Sequence, residues 1–247
     1  MISPVIVLAG GFGSRLGELS QQLPKAMMDV AGVPFIDFKL RQLSKLGFSK
    51  VILAVGYLAE QIQDYCGEGS RWNLDIKYSL DPFKACGTGR AVENAIRLHL
   101  LDKGRCFVTY GDSLNSVDPK LMEKSMYRPS HPEVDAEISI IDKDLVPWHA
   151  PNCAVIGPGL GYYFSQTLSV DSQVPLTHVE YGMTLIDKTN YLKWCPASGP
   201  VDFGEFLYSC SKEMRLGILE VQQPFHEIGS IKALDETRKW ITDEWLR

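Results

Sequence analysis

The stretch Val5–Leu16, VIVLAGGFGSRL, decides how this chain is read. Five apolar residues, Val5–Ala9, have the length and β-branched content of a buried strand, and they empty into a loop with three glycines and an arginine. Glycine lets backbone N–H groups approach an anion closely, and an arginine adds a planar, multi-donor cation. Two readings stay open for the loop alone: a phosphate cradle, or a strand-end turn with a surface arginine. A Walker A loop is excluded because no Gly-Lys-Ser/Thr follows. A compact dinucleotide-binding βαβ unit is excluded by distance, since the next helix pattern begins only near Pro34 and the next strand near Lys50.

Beyond the loop, apolar runs alternate with amphipathic stretches. Ile36, Leu40 and Leu43 recur at helical spacing between Pro34 and Gly47, and Lys50–Val55 reads as a second strand. Helix is expected over Ala59–Tyr65 and Gly89–Leu100, and strand over Asp75–Ser79 and Cys106–Tyr110. The second half reads as strands at Ala136–Ile141, Asn152–Ile156, Tyr162–Gln166 and Val179–Leu185, then helices at Asp202–Glu213 and Ile231–Glu244. Alternation of this kind predicts a mostly parallel sheet covered on both faces, with later, mixed strands laid over it.

Composition narrows the function. With 25 Lys plus Arg against 30 Asp plus Glu, the net charge of -5 argues against a nucleic-acid partner. The apolar runs are too short to span a bilayer, and the N-terminus lacks the basic region of a signal peptide, so no membrane partner is expected. Six cysteines at 66, 86, 106, 153, 195 and 210 form no C-x-x-C pair. They predict buried, reduced thiols and a cytoplasmic location rather than zinc or disulfides. The five histidines show no metal spacing, and His99 falls on an apolar helix face.

Two further segments extend the loop. Leu23-Pro24-Lys25 follows it, and Pro24 stiffens the approach of Lys25 to the same anion. Gly111-Asp112 closes the strand Phe107–Tyr110, which puts a carboxylate at the carboxyl end of a parallel strand, where open α/β sheets bind ligands.

Together, L-A-G-G-x-G-S-R-L followed by P-K resembles the sugar-1-phosphate nucleotidyltransferases, or nucleotide-sugar pyrophosphorylases. Lys50–Gly67, KVILAVGYLAEQIQDYCG, is similar to the branch of heptose and mannose 1-phosphate guanylyltransferases. The resemblance runs to about Lys239 and weakens between Asp142 and Thr177. It implies a single Rossmann-like α/β domain over 1–247 with a mostly parallel central sheet, helices on both faces and a smaller mixed-strand region on the acceptor side. Residues 1–115 would mainly bind nucleotide and 116–247 mainly the acceptor, with no C-terminal β-helix.

The resemblance also implies roles. Leu8, Ala9, Gly10, Gly11, Gly13 and Ser14 would hold the nucleotide, with Arg15 and Lys25 as the catalytic cations. Asp112, preceded by nucleotide-binding Gly111, would hold Mg²⁺. A second metal carboxylate usually sits in W-L-D-x-G-T; here Phe225–Ser230 offers Glu227, one methylene longer. Gly87 and Thr88, in C-G-T-G, would pass over base and ribose, with Thr88 alternatively a helix cap. Asp81 would read the base, favouring GTP or CTP because a carboxylate accepts from guanine N1–H and amino or cytosine amino groups. Glu180 and Gly182 would contact the acceptor. Trp148 and Asn152 resemble a Trp…Asn pair in one branch, or are a packed aromatic and a turn asparagine. The Glu-Lys-Pro lysine of many relatives is missing, since no Lys or Arg lies between Lys143 and Lys188.

The activity implied is transfer of a nucleotidyl group from a nucleoside triphosphate to a sugar 1-phosphate. A metal-dependent glycosyltransferase and a non-catalytic sugar-nucleotide sensor are the competing readings. Exposed helices leave room for a homo-oligomer.

Overall fold

A computed structural model describes residues 2–11, 13, 22–102, 104–126, 133–165 and 174–245. Strand β1 (Val5–Leu8) is followed by a short hairpin, β2 (Asp29–Val30) and β3 (Val33–Pro34), and by helix α1 (Phe35–Lys45). Then come β4 (Lys50–Val55), α2 (Ala59–Cys66), β5 (Asp75–Leu80), α3 (Thr88–His99) and β6 (Arg105–Tyr110). The rest of the chain supplies β7 (Ser113–Leu114), α4 (Pro119–Ser125), β8 (Ala136–Asp142), β9 (Cys153–Gly157), β10 (Leu160–Tyr163) and β11 (His178–Asp187). It ends with α5 (Lys188–Trp194), α6 (Phe203–Lys212), β12 (Leu216–Val221), β13 (His226–Glu227) and α7 (Ile231–Trp240).

One nine-stranded sheet runs β5-β4-β1-β6-β11-β8-β12-β10-β9. Only β11 and β10 run against the rest. The later strands therefore extend the sheet edge to edge instead of lying over it, because the ten-residue β11 pairs antiparallel with β6 on one side and β8 on the other. The strand expected at Tyr162–Gln166 begins earlier, at Leu160, where it pairs with Gly217 of β12.

Side chains of β1 alternate between two cores, as strand geometry requires. Val5 and Val7 pack with Ile36, Leu40 and Leu43 of α1 and Ile62 of α2. Ile6 packs with Val92 and Ile96 of α3 and Phe203 and Phe206 of α6 on the other face. A third cluster joins Phe35 and Phe38 to Leu114, Ile228 and Leu234, fastening α7 to the outside of α1. All six cysteines are buried free thiols. His99 is held by a 2.8 Å contact from Nε2 to the Tyr78 carbonyl. No helix among the described residues is long and apolar enough to cross a membrane.

Besides the two-residue strands β2, β3, β7 and β13, three elements escaped the sequence reading. Two start at aspartate caps, where Asp118 accepts from Lys120 N ahead of α4 and Asp187 from Asn190 N ahead of α5. The third, β12, has buried residues only over its first half.

Tight packing shows at the start of α3. Gly87 has φ 82°, and a Cβ there would lie 2.3 Å from the Val201 carbonyl oxygen. Gly199, with φ 85°, would meet nothing within 4 Å. Gly87→Ala is therefore expected to destabilise the fold by about 2–4 kcal/mol, combining backbone strain and overpacking. Gly199→Ala should cost only the strain, about 1 kcal/mol. Urea midpoints of the two variants check the difference.

Candidate active site

The cleft follows from strand register. Val5–Leu8 pairs in parallel with Val51–Ala54 and with Phe107–Tyr110, so the three strands end level with one another. Just past their ends lie Gly10, Gly56 and Gly111. Hydrogen bonds from Ala9 N to Ala54 O (2.8 Å) and Gly111 N to Leu8 O (2.9 Å) close the ladder. Beyond it opens a cleft of about 810 Å³, whose lining includes Leu8, Gly10, Gly11, Asp81, Thr88 and Asp112. Gly87 lines it too. Ala9 and Gly111 sit behind the wall, where a Cβ on Gly111 would come within 3.1 Å of the Ala9 Cβ. Gly13 has φ 68°. Ser14 and Arg15 lie outside the described residues.

Gly10 and Gly56 have a task that the sequence reading did not assign. A Cβ on Gly10 would lie 2.8 Å from Asp81 Oδ2, and one on Gly56 only 2.1 Å away. The two glycines thus make a seat for the Asp81 carboxylate, whose backbone N–H donates to Val55 O at 2.8 Å. Burial raises the Asp81 carboxyl above its usual range, and the Cys86 thiol, hydrogen-bonded to it, works the other way. Asp81 thus stands in the cleft as a partly desolvated acceptor.

Lys25 and Asp112 meet although they are far apart in sequence. Pro24 precedes a single 3₁₀ turn, Lys25–Met27, anchored by buried Ala26. From that turn Lys25 Nζ donates to Asp112 Oδ2, in a pair whose side chains are 15% and 31% exposed. The pair is open enough for a ligand to reach either partner.

Glu227 lies beside this pair on a two-stranded ladder. It stands opposite Ser113, and Ile228 N donates to the Asp112 carbonyl at 3.0 Å. Its carboxylate folds back over Gly229, where a Cβ would lie 2.4 Å from Oε2. Among the described residues no group of three His, Cys, Asp or Glu could hold a metal alone. Asp112 immediately precedes β7 and Glu227 lies on its partner strand β13, and both carry the oxygen ligands that Mg²⁺ takes, commonly one or two carboxylates plus substrate phosphates.

Thr88 does not cap α3, which begins at Thr88 itself and has no side-chain cap. Its hydroxyl instead donates to Asp202 Oδ2 (3.1 Å) and accepts from Phe203 N (2.9 Å), tying α3 to the start of α6. The amides of Gly89 and Arg90 donate to the Val201 carbonyl at 2.8 and 3.3 Å. This helix terminus is therefore spent on the fold.

On the acceptor side, a bulge interrupts β11 between Glu180 and Thr184. Gly182, with φ 91°, turns its N–H onto Glu180 Oε1 at 2.8 Å. Asn152, a residue the sequence left between two readings, accepts from Glu180 N at 2.8 Å and braces the bulge. Trp148 stands 58% exposed. Burial pushes the Glu180 carboxyl up to about 7, against the Gly182 N–H, which holds it down. Burial also raises the Tyr110 phenol, and the charges of Glu180, Tyr163, Asp202 and Asp112 add to that rise.

Sequence reasoning missed Lys39. It is fully buried on α1, and burial lowers it to about 7 while Asp112 works to raise it. The signal was available, because Lys39 falls four residues after Phe35 and four before Leu43, in step with buried positions.

Residues 4–137 match the family model described as Nucleotidyl transferase. That is more than half of the chain. The chain belongs to the nucleotidyl transferase family. It is 34% identical over 113 residues to the N-acetylmuramate alpha-1-phosphate uridylyltransferase of Neisseria meningitidis serogroup B, covering 46% of this chain and 48% of the relative. It is equally identical, over 113 residues, to the D-glycero-alpha-D-manno-heptose 1-phosphate guanylyltransferase of Campylobacter jejuni, covering 46% of this chain and 49% of the relative. The aligned stretch spans about half the length of the curated relatives it matches. Among solved structures, HddC from Yersinia pseudotuberculosis complexed with GMP-PN superposes with a TM-score of 0.77 at 21% identity, covering 97% of this chain and 99% of that one. The inositol-1-phosphate CTP transferase from T. maritima gives 0.73 at 18%, covering 98% and 97%. These likenesses place the whole chain in the fold of this family.

Glu180 provides a stability test. Its folded value is raised above the unfolded one, so the folded state holds the proton more tightly. Its contribution is present below the unfolded value of about 4.5 and is lost as pH rises through about 7. Compared with wild type, Glu180→Gln should lose less stability between pH 5 and 8, by on the order of 2–3 kcal/mol. Urea denaturation of both proteins at the two pH values measures it.

Proposed function

We propose that this protein transfers a nucleotidyl group from a nucleoside triphosphate, GTP or CTP by preference, to a sugar 1-phosphate, releasing pyrophosphate. The observation that carries the reading is the Lys25–Asp112 pair beside the glycine-walled cleft. It sets a cation and a metal-type carboxylate side by side where a triphosphate would run. The acceptor is already an anion, so no general base is needed. One of its phosphate oxygens attacks the α-phosphorus, the bond to the bridging oxygen of the β-phosphate breaks, and pyrophosphate leaves with that electron pair.

The chain's task is to bring two polyanions together and hold them in line. Gly10 and Gly11 would let the loop approach the phosphates, and Arg15 would take the β- and γ-phosphates. Lys25 would stabilise charge growing at the α-phosphate. Asp112 and Glu227 would hold Mg²⁺, which when bound neutralises phosphate charge. Asp81 would accept from the donor edge of guanine or cytosine. Glu180 and the Gly182 bulge would accept and approach the sugar hydroxyls. The relatives named for guanylyl and uridylyl transfer to sugar phosphates support the class, and the substrates suit the cytoplasm.

Pyrophosphate release, measured with each of the four NTPs, Mg²⁺ and a panel of sugar 1-phosphates, tests this reading. Release with GTP or CTP and one sugar 1-phosphate is expected, and none with any pair contradicts it. Lys25→Ala should lower turnover by about 10²–10³-fold, the scale of one lost charge-stabilising group, with an unchanged circular dichroism spectrum. Asp81→Ala should cut kcat/KM for the preferred NTP by about 10–100-fold, the worth of one paired base contact. Unchanged selectivity would remove Asp81 from base recognition.

A further inference from the structure

A buried lysine joins the two halves of the cleft from beneath. Lys39 Nζ donates to Thr109 Oγ1 and to the Ser113 carbonyl, both at 3.0 Å. Thr109 lies on β6, and Ser113 follows Asp112 directly. The Thr109 hydroxyl passes the bond on, donating to the Gly182 carbonyl at 2.6 Å. Asn115 Nδ2 donates to the same carbonyl at 3.0 Å. Gln42, one turn after Lys39 on α1, accepts from Asn115 N at 3.3 Å. The Gly182 N–H in turn fixes Glu180. A continuous chain of hydrogen bonds thus runs from α1 through the Asp112 turn to the acceptor-side bulge.

This arrangement is expensive for a core. Lys39 is fully buried where an unbranched apolar side chain of similar length would pack without desolvating a charge. Ser113 Oγ and Asn115 Oδ1 lie buried beside it with no hydrogen-bond partner among the described residues. Packing alone gives no reason to keep such a network. Its position does, because both carboxylates it braces, Asp112 and Glu180, belong to the proposed reaction. The sequence between Lys143 and Lys188 contains no Lys or Arg, so cationic support for this side of the cleft has to come from elsewhere in the chain.

We infer that Lys39 is a positioning residue, fixing the Asp112 turn and the Glu180–Gly182 bulge relative to each other so that nucleotide and acceptor meet in line. It does not touch substrate, because it has no exposed surface. The inference rests on the proposed nucleotidyl transfer for the identity of the two substrates.

The test compares wild type with Lys39→Met in steady-state pyrophosphate release. The substitution relieves the desolvation of the amine but takes the donor from the buried Ser113 carbonyl and Thr109 Oγ1, so some loss of melting temperature is expected and the kinetics decide. Turnover should fall by about 10–100-fold, the scale of an ångström-sized misplacement. The acceptor KM should rise while the NTP KM stays within about twofold. A merely structural lysine would leave both KM values alone, and that result, or unchanged kinetics in a folded variant, overturns the inference. If Lys39→Met does not fold, Thr109→Val decides. It keeps the lysine and removes the relay to Gly182, and an unchanged acceptor KM overturns the inference while a raised one upholds it. If wild type releases no pyrophosphate with any pair, the functional reading fails separately. Crystal structures of wild type and Thr109→Val then decide, with a displaced Gly182 carbonyl supporting the positioning role and an unmoved one overturning it.

Discussion

Everything at this site depends on the level ending of three parallel strands. With β1 in register between β4 and β6, the chain leaves the sheet at three neighbouring points on one edge. Each exit passes through glycine, at 10, 56 and 111. Without side chains there, the backbone can turn sharply, Asp81 can lie across two of the exits, and a cleft remains above them. A shift of one residue in either ladder would exchange the two core faces of β1 and separate Asp112 from the loop it serves.

Charge is the second constraint. In the proposed reaction a chain of net charge -5 has to admit two polyanionic substrates. No Lys or Arg lies between Lys143 and Lys188, so cations at the cleft come from elsewhere. Lys25 comes from the turn after the glycine loop, Lys84 lines the cleft, and Lys39 lies beneath it on α1. All three belong to the first half of the sequence. Against them stand Asp112, Glu180 and Asp202, whose charges all bear on the half-buried Tyr110 phenol. The low dielectric around that phenol makes each charge count for more than it would in water.

Much of this was legible in the sequence because it is local. The β1 loop, the Pro24-Lys25 turn and the strand-ending Asp112 each announce themselves within a few residues. The helix and strand periods of the first half follow the buried faces closely, from Lys50–Val55 to α3. What stayed hidden depends on distant partners. Thr88 looks like a helix cap until Asp202 and Phe203 arrive to take its hydroxyl. Gly56 looks like a turn residue until Asp81 is laid over it. Asn152 becomes a brace for Glu180 only when β9 and β11 are brought together. The second half was misplaced in space because an antiparallel strand that extends a sheet and one that covers it carry the same alternating pattern. Lys39 was overlooked because a lysine is normally a surface residue, although its place in the apolar register of α1 marked it out.

In the proposed reading the glycine-walled cleft holds a nucleoside triphosphate with its base at Asp81 and its phosphates at Lys25 and Asp112. A crystal structure with Mg²⁺ and a non-hydrolysable GTP analogue tests it most directly. The account predicts the guanine edge within hydrogen-bonding distance of the Asp81 carboxylate, the α-phosphate against Lys25 Nζ, and the metal on Asp112. A nucleotide bound with its base away from Asp81, or with its phosphates remote from the Lys25–Asp112 pair, would contradict it.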